Sequence, residues 1–179
     1  ASYYTILYEE QKLGGDAMKL ALWREAEDVF RANDTRPIVW RDYGDPMQQF
    51  DSRAYPKGAW VLHMLRSQLG ADLYRRCIRT YLERHRSGIV STDDLQDVVE
   101  EVGGLSFDQF FDQWLHHGGV PELKIDYAWD AASKLAKITV RQTQKLSDQV
   151  RLFRLPLPVS FQVAGKKEPL HFTMDVSDA

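Results

Sequence analysis

The hydrophobic period of the chain changes once, at Val120-Pro121, and this change limits the possible folds more than any other feature. Before it, apolar residues recur at the spacing of amphipathic helices, and after it they alternate with polar residues as in half-buried strands. Helices followed by strands are typical of the α+β class. We therefore predict an all-helical domain over residues 1–119 and a β domain over residues 120–179.

Capping residues and glycine stops divide the first part into six predicted helices. They cover approximately residues 2–13, 16–30, 56–69, 71–86, 92–102 and 107–117. Asp16 is the predicted cap of the second helix, Thr92 or Ser91 is that of the fifth, and Ser106 with Gln109 is a predicted capping box for the last. Residues 33–51 hold prolines and aromatic residues together, which indicates an ordered loop.

The second part contains four predicted strands, at about residues 121–129, 135–143, 152–163 and 170–176. In the third strand, Pro156 and Pro158 lie opposite the apolar side and remove backbone donors, as at the edge of a sheet. Four strands with one apolar face cannot close a sandwich alone. We expect part of an antiparallel β-sandwich, and we expect the chain to self-associate through its uncovered sheet.

Composition excludes several classes of partner. The 179 residues carry a net charge of -3, with 23 basic and 26 acidic residues intermixed, so we expect neither nucleic acid nor a membrane surface as a partner. The apolar runs are shorter than the ~20 residues of a membrane span, which predicts a soluble protein. Cys77 is the single cysteine, so there is no internal disulfide, and the sequence leaves a cytoplasmic or a secreted or periplasmic location open.

The sequence does not predict a metal site within this chain. His116 and His117 are adjacent, so on a helix they point about 100° apart and cannot hold one ion together. A His-Glu-x-x-His motif is absent, and so are a Gly-x-Ser-x-Gly elbow and a glycine-rich phosphate loop. We expect ordinary structural or surface roles for the five histidines and a solvated face for the acidic residues at 93–101.

Tyr55 is the candidate catalytic residue. Pro56 suits the first position of a helix and disfavours helical backbone before it, so Tyr55 is predicted on extended backbone with its phenol clear of the helix. Lys57 puts a positive charge at the positive end of the helix dipole, and Gly58 costs roughly 1 kcal/mol relative to alanine. A neutral phenol can stabilise an oxyanion. From local features alone, a packing role for Tyr55 is the alternative.

The same segment carries a resemblance to a known family. The run from Tyr55 to Ala59, together with the helix after it, resembles the segment downstream of the zinc site in aminopeptidase N and its relatives, the gluzincin aminopeptidases. Further runs resemble family motifs in the same order: Arg36-Pro37-Ile38-Val39, Thr92-Asp93-Asp94-Leu95, Phe110-Phe111-Asp112-Gln113-Trp114-Leu115 and Gly119-Val120-Pro121. The resemblance extends over nearly the whole chain.

The resemblance implies the helical C-terminal half of a thermolysin-like catalytic domain, followed by part of a β-sandwich. In this family zinc is held by His-Glu-x-x-His and by a Glu on the next helix, and Ala1-Ser2-Tyr3-Tyr4 resembles the continuation of the run that this Glu begins. The resemblance therefore places the zinc ligands upstream of residue 1. It also matches Tyr55 to the tyrosine that donates a hydrogen bond to the oxyanion formed when zinc-activated water attacks the peptide.

These implications give one expected function and two alternatives. We expect part of a zinc-dependent aminopeptidase that hydrolyses N-terminal residues from peptide substrates. The parent protein would need Zn²⁺, and this chain alone would bind none and would be inactive. The alternatives are a non-catalytic interaction module and an inactive relative of the peptidase.

Overall fold

The computed structural model describes residues 2–177 and has the predicted α+β architecture. Ala1, the first residue of the run that resembles the family motif, lies outside this range. The helices are α1 (Ser2–Leu13), α2 (Gly15–Ala32), α3 (Gly58–Leu69), α4 (Ala71–Arg84), α5 (Thr92–Gly103) and α6 (Asp108–Phe111), and the strands are β1 (Leu123–Asp130), β2 (Leu135–Gln142), β3 (Leu155–Phe161) and β4 (Leu170–Val176). The chain forms two compact units, of which the first ends at Gly119 and the second begins at Val120.

Among the described residues, the helical unit also contains three shorter helical segments. A 3₁₀ helix at Pro46–Gln49 lies within the loop between α2 and α3, and a π-helical segment at Asp112–His116 continues α6. A second π-helical segment, Arg53–Lys57, precedes α3 directly, and we call it the π-turn. The loop at residues 33–51 is otherwise without regular structure, in agreement with the sequence pattern.

The capping predictions were partly correct. Ser91 caps α5, and its backbone N–H donates to the Asp94 carboxylate at 2.6 Å in a capping box. The prediction for Asp16 was wrong, because Gly14 has a φ of 91° that lets α1 and α2 follow each other directly. Asp16 therefore lies inside the first turn of α2, where it pairs with Lys19 at 3.0 Å.

The capping box predicted at Ser106 is also not formed. The Ser106 hydroxyl does accept a hydrogen bond from the backbone N–H of Asp108, at 3.2 Å. The Gln109 amide, however, donates to the side-chain oxygen of Gln113 at 2.6 Å instead of reaching back. The N–H of Phe107 donates to the Glu100 carboxylate at 2.7 Å, so α5 supplies the acceptor for the start of this helix.

The core of the helical unit is apolar and aromatic. Helix α1 packs on α2 and α3, and α4 packs on α3 and α5. Cys77 is fully buried. Burying each large side chain contributes about 1.5–3 kcal/mol, and the buried set here is Tyr3, Ile6, Leu22, Val61, Leu65, Tyr74, Val98, Val99, Phe107, Phe110, Phe111 and Trp114. Among residues 2–177, no helix has the length and apolar character needed to cross a bilayer.

The β unit consists of two antiparallel hairpins, β1–β2 and β3–β4. Inward and outward residues alternate in β3, where the proline side is exposed as predicted. The buried Gln142 side chain joins the end of β2 to the segment before β3, because it accepts from the N–H of Phe153 at 2.8 Å and donates to its carbonyl at 2.7 Å. On β1 the apolar side chains of Ile125, Tyr127 and Trp129 remain exposed.

Candidate functional site

The π-turn determines where Tyr55 lies. Its backbone hydrogen bonds span five residues, from the N–H of Lys57 to the carbonyl of Ser52 at 2.9 Å and from Gly58 to Arg53. Tyr55 is therefore on helical backbone, and the prediction of extended backbone was wrong. Pro56 lacks an N–H, and its ring would clash with the carbonyl four residues earlier in a regular α-helix. The wider π-turn accommodates the proline without ending the helix.

The side chain of Tyr55 nevertheless projects outward. It is 43% exposed, and its ring contacts Phe50 with the ring centroids 6.1 Å apart and the planes tilted by 42°. Its hydroxyl makes no hydrogen bond to any residue of the 2–177 range. The phenol is therefore available as a hydrogen-bond donor to a molecule that approaches this surface.

Tyr55 borders a cleft of about 540 Å³ within the helical unit. This cleft is lined by the start of α1, the π-turn and α3, one residue of α4, the start of α5 with the two residues before it, and α6 with its continuation. Leu62, Leu95 and Phe110 give it an apolar wall, and Thr92 adds a hydroxyl group. Apolar walls with a few polar groups are typical of sites that bind small molecules or peptide side chains.

A buried guanidinium anchors the first residue of the π-turn. Arg53 is only 2% exposed, and it forms ion pairs with Asp51 at 2.6 Å and with Asp34 at 3.3 Å. It also donates to the backbone carbonyls of Pro37 and Gln48, each at 3.0 Å. These contacts tie the loop at residues 33–51 to the π-turn. Arg53 was not identified from the sequence, although the Asp-x-Arg spacing at both ends of this loop could have indicated it.

The carboxylate of Asp34 is shared between two arginines. Burial opposes its ionisation, but hydrogen bonds from the side chain and backbone of Arg36, together with the charge of Arg53, outweigh that effect. The pKa of Asp34 is therefore below its usual value. The cluster stays charged at neutral pH and holds the loop in place.

A buried ammonium anchors the last residue of the π-turn. Lys57 is 5% exposed, and its Nζ donates to the carbonyl of Gly119 at 2.9 Å. Burial lowers the pKa of Lys57 to about 8, while the charge of Asp34 acts in the opposite direction. From the sequence, Lys57 was expected only to destabilise the start of the helix, because its positive charge lies at the positive end of the helix dipole. Its acceptor lies 62 residues further along the chain and was not predicted.

The carbonyl that Lys57 contacts belongs to a closely packed segment. The backbone of Gly118 lies against the backbone of Thr35, so that a Cβ at this position would collide with the Thr35 carbonyl. Nearby, the N–H of Val39 donates to the carbonyl of Leu115 at 2.9 Å. The loop, the π-turn and residues 115–119 thus meet in one place, which we call the junction.

Two of the five histidines, His63 and His117, have side-chain hydrogen-bond partners. His63 Nδ1 is 3.1 Å from the Tyr3 hydroxyl, and burial lowers the pKa of this histidine. His117 Nε2 is 3.1 Å from the Asp112 carboxylate. Within the described residues, no group of three or more His, Cys, Asp or Glu side chains could hold a metal ion.

Comparison with known proteins identifies the family. Residues 6–114 match the peptidase family M1 domain, which is more than half of the chain, and the chain therefore belongs to this family of peptidases. Among curated relatives, it is 26% identical over 139 residues to the probable aminopeptidase 1 of Sulfurisphaera tokodaii and 27% identical over 128 residues to the aminopeptidase N of Streptomyces lividans. These alignments cover 76% and 70% of this chain but only 17% and 15% of the relatives.

A solved structure supports the same fold. The crystal structure of Legionella pneumophila aminopeptidase A, in complex with aspartic acid, matches 99% of this chain and 19% of its own with a TM-score of 0.74. The sequence identity is 16%, so this match establishes the fold alone. The resemblance to the aminopeptidase N family that the sequence motifs indicated is confirmed by the family match.

Proposed function

We propose that this chain is part of a zinc-dependent aminopeptidase that removes N-terminal residues from peptides, and that Tyr55 is a catalytic residue of that enzyme. Membership of peptidase family M1 and the aminopeptidases among its relatives support the activity. The observation that carries the role of Tyr55 is its position. Tyr55 is 43% exposed and borders a cleft, its hydroxyl has no hydrogen-bond partner among the described residues, and it lies on a turn anchored at both ends.

The chemistry assigned to Tyr55 is stabilisation of an oxyanion. When a nucleophile attacks a peptide carbonyl, negative charge develops on the oxygen, and a neutral phenol can donate a hydrogen bond to it. Such a donor is most effective when its direction is fixed before the reaction, because no energy is then spent on reorganisation. The described residues contain no group of side chains that could hold zinc, so we assign the zinc ligands to the rest of the protein.

The test uses the complete protein and an aminoacyl-nitroanilide substrate. Replacement of Tyr55 by Phe removes the donor and keeps the ring, so kcat should fall roughly 100 to 1,000-fold while KM stays nearly constant. Tyr43→Phe is a matched control, because Tyr43 is 44% exposed against 43% for Tyr55 and lies outside the π-turn. A wild-type rate in Tyr55→Phe would refute the catalytic role.

The alternatives are a non-catalytic interaction module and an inactive relative of the peptidase. Zinc analysis of the complete protein separates them from the proposed enzyme. An active enzyme should contain zinc, lose its activity on chelation and regain it when zinc is added back. A complete protein that binds no zinc and cleaves no substrate would favour the alternatives.

We further propose that the chain, when isolated, pairs with a second copy through the exposed face of β1. Ile125, Tyr127 and Trp129 lie on one side of this strand and are 61%, 62% and 56% exposed. A two-stranded hairpin is marginal by itself, and an apolar face of this kind favours association. A second copy would bury the same side chains against each other.

A further inference from the structure

We infer that Lys57 is a positioning residue for Tyr55, because its ammonium ties the π-turn to the carbonyl of Gly119 and so fixes the direction of the phenol. This inference rests on the proposed catalytic role of Tyr55. It adds a second residue, one that acts through Tyr55 without touching the substrate.

The ring of Tyr55 has an exposed aromatic neighbour and, within residues 2–177, no hydrogen bond to hold it. It packs at a tilt against Phe50, which is itself 63% exposed, and its hydroxyl is without a hydrogen-bond partner among the described residues. The backbone must therefore set the direction of the side chain. Whatever fixes the π-turn fixes the phenol.

The π-turn needs support from outside. Pro56 removes one backbone donor from it, and single π-turns are rare in proteins. Two buried cations supply the support, with Arg53 at the first position and Lys57 at the last. Tyr55 is the middle residue, so its backbone lies between two anchors.

The two anchors reach different parts of the helical unit. Arg53 binds the loop at residues 33–51, whereas Lys57 reaches residue 119 at the far end of the unit. The acceptor is itself well fixed, because the neighbouring Gly118 backbone lies against the backbone of Thr35. A rigid acceptor makes the contact of Lys57 a constraint on the turn.

The contact is retained at a cost. Burial disfavours the charged form of Lys57 and lowers its pKa to about 8. A methionine of similar length could fill the same space without burying a charge. A side chain present only for packing would not need an ammonium group here, whereas a tie to a carbonyl oxygen does need a donor.

The test is a double-mutant cycle in the complete protein, with Tyr55→Phe, Lys57→Met and the double variant. Lys57→Met should lower kcat at least tenfold, leave KM nearly unchanged and keep the melting temperature within a few degrees of wild type. The double variant should be no slower than Tyr55→Phe, because an undirected phenol and a missing hydroxyl remove the same interaction. Lys19→Met, at an exposed lysine of α2, is the control and should leave kcat, KM and the melting temperature unchanged.

The outcomes separate the two claims. If Tyr55→Phe retains the wild-type rate, the proposed catalytic role fails whatever Lys57 does. If Tyr55→Phe is impaired but Lys57→Met is fully active, or if the two losses multiply in the double variant, the positioning role of Lys57 is overturned. If Lys57→Met does not fold, Lys57→Gln, which keeps a polar group but is too short to reach the carbonyl, replaces it in the same cycle.

Discussion

The two units of the chain invert the usual distribution of side chains in opposite ways. The helical unit buries charge at Arg53 and Lys57, which are 2% and 5% exposed, whereas the β unit leaves Tyr127 and Trp129 more than half exposed. Each inversion costs free energy. In the helical unit the buried charges have fixed partners and hold a turn in place. In the β unit the exposed apolar side chains indicate a surface that would be stabilised by contact with another apolar surface.

The ion pairs of the two units sharpen this contrast. Arg53 pairs with Asp51 in the interior of the junction, while Arg154 pairs with Asp175 at the surface of the β unit, where both side chains are more than half exposed. Solvent screens an exposed pair, and such pairs contribute about 0–1 kcal/mol. A buried pair that loses one partner leaves an uncompensated charge behind. Similar chemistry therefore has different consequences in the two units.

The largest effect on stability is expected at Arg53. Arg53→Met should lower the free energy of unfolding by about 3–5 kcal/mol, because Asp51 and two backbone carbonyls would lose a buried partner. Arg141→Met, at an ion pair with Asp126 in the β unit whose side chains are both more than half exposed, should change it by less than about 1 kcal/mol. Urea unfolding of the 179-residue chain measures both variants. Equal effects of the two substitutions would contradict the contrast between the units.

A smaller effect is expected from the titration of Lys57. Its pKa in the folded protein, about 8, is below the ordinary value of 10.5, and this fall corresponds to about 3 kcal/mol. Below pH 8 both states are protonated and the full cost of burying the charge is present. Between pH 8 and pH 10.5 the unfolded chain binds more protons than the folded one, so stability rises with pH.

The measurement compares the wild-type chain with Lys57→Met at several pH values. From pH 7 to pH 10, the free energy of unfolding of the wild type should rise relative to the variant by about 2–3 kcal/mol. Asp34 raises the pKa of Lys57 and Arg53 lowers it, and both remain in the two proteins, so the difference isolates Lys57. Parallel curves would show that Lys57 is not buried as a charge.

The regular elements were predictable because their signals are local. The spacing of apolar residues and the glycine stops located α1, α4 and α5 to within about two residues, and alternation located the strands. The π-turn was not predictable from these signals. The local preference of Pro56 favoured extended backbone at Tyr55, but the ties of Arg53 and Lys57 to distant parts of the chain override that preference.

The candidate site was predictable only in part for the same reason. Tyr55 was identified from the unusual residues around it and from the family resemblance, and its exposed phenol has the expected accessibility. Its catalytic role stays a prediction. Arg53 and Lys57 were not identified as anchors. The Asp-x-Arg spacing at both ends of the loop is a local signal for Arg53, but the sequence gives no indication of the acceptor of Lys57, which lies 62 residues away. Packing decides which charged residues become buried, and packing is not a local property.

The smallest expected effect concerns the β unit. It is the change in self-association when the exposed apolar face of β1 is altered. The isolated 179-residue chain should self-associate in sedimentation velocity, and Trp129→Lys should weaken that association by placing a charge on the apolar side of β1. Ala128→Lys is the matched control, because residue 128 is also exposed but, as the neighbouring residue in the strand, it points to the opposite face.

Loss of association in Trp129→Lys alone would locate the contact on the apolar face. Equal loss in both variants would place the contact at the strand edge or make it a general effect of charge, and a monomeric wild-type chain at all concentrations would remove the case for pairing through β1.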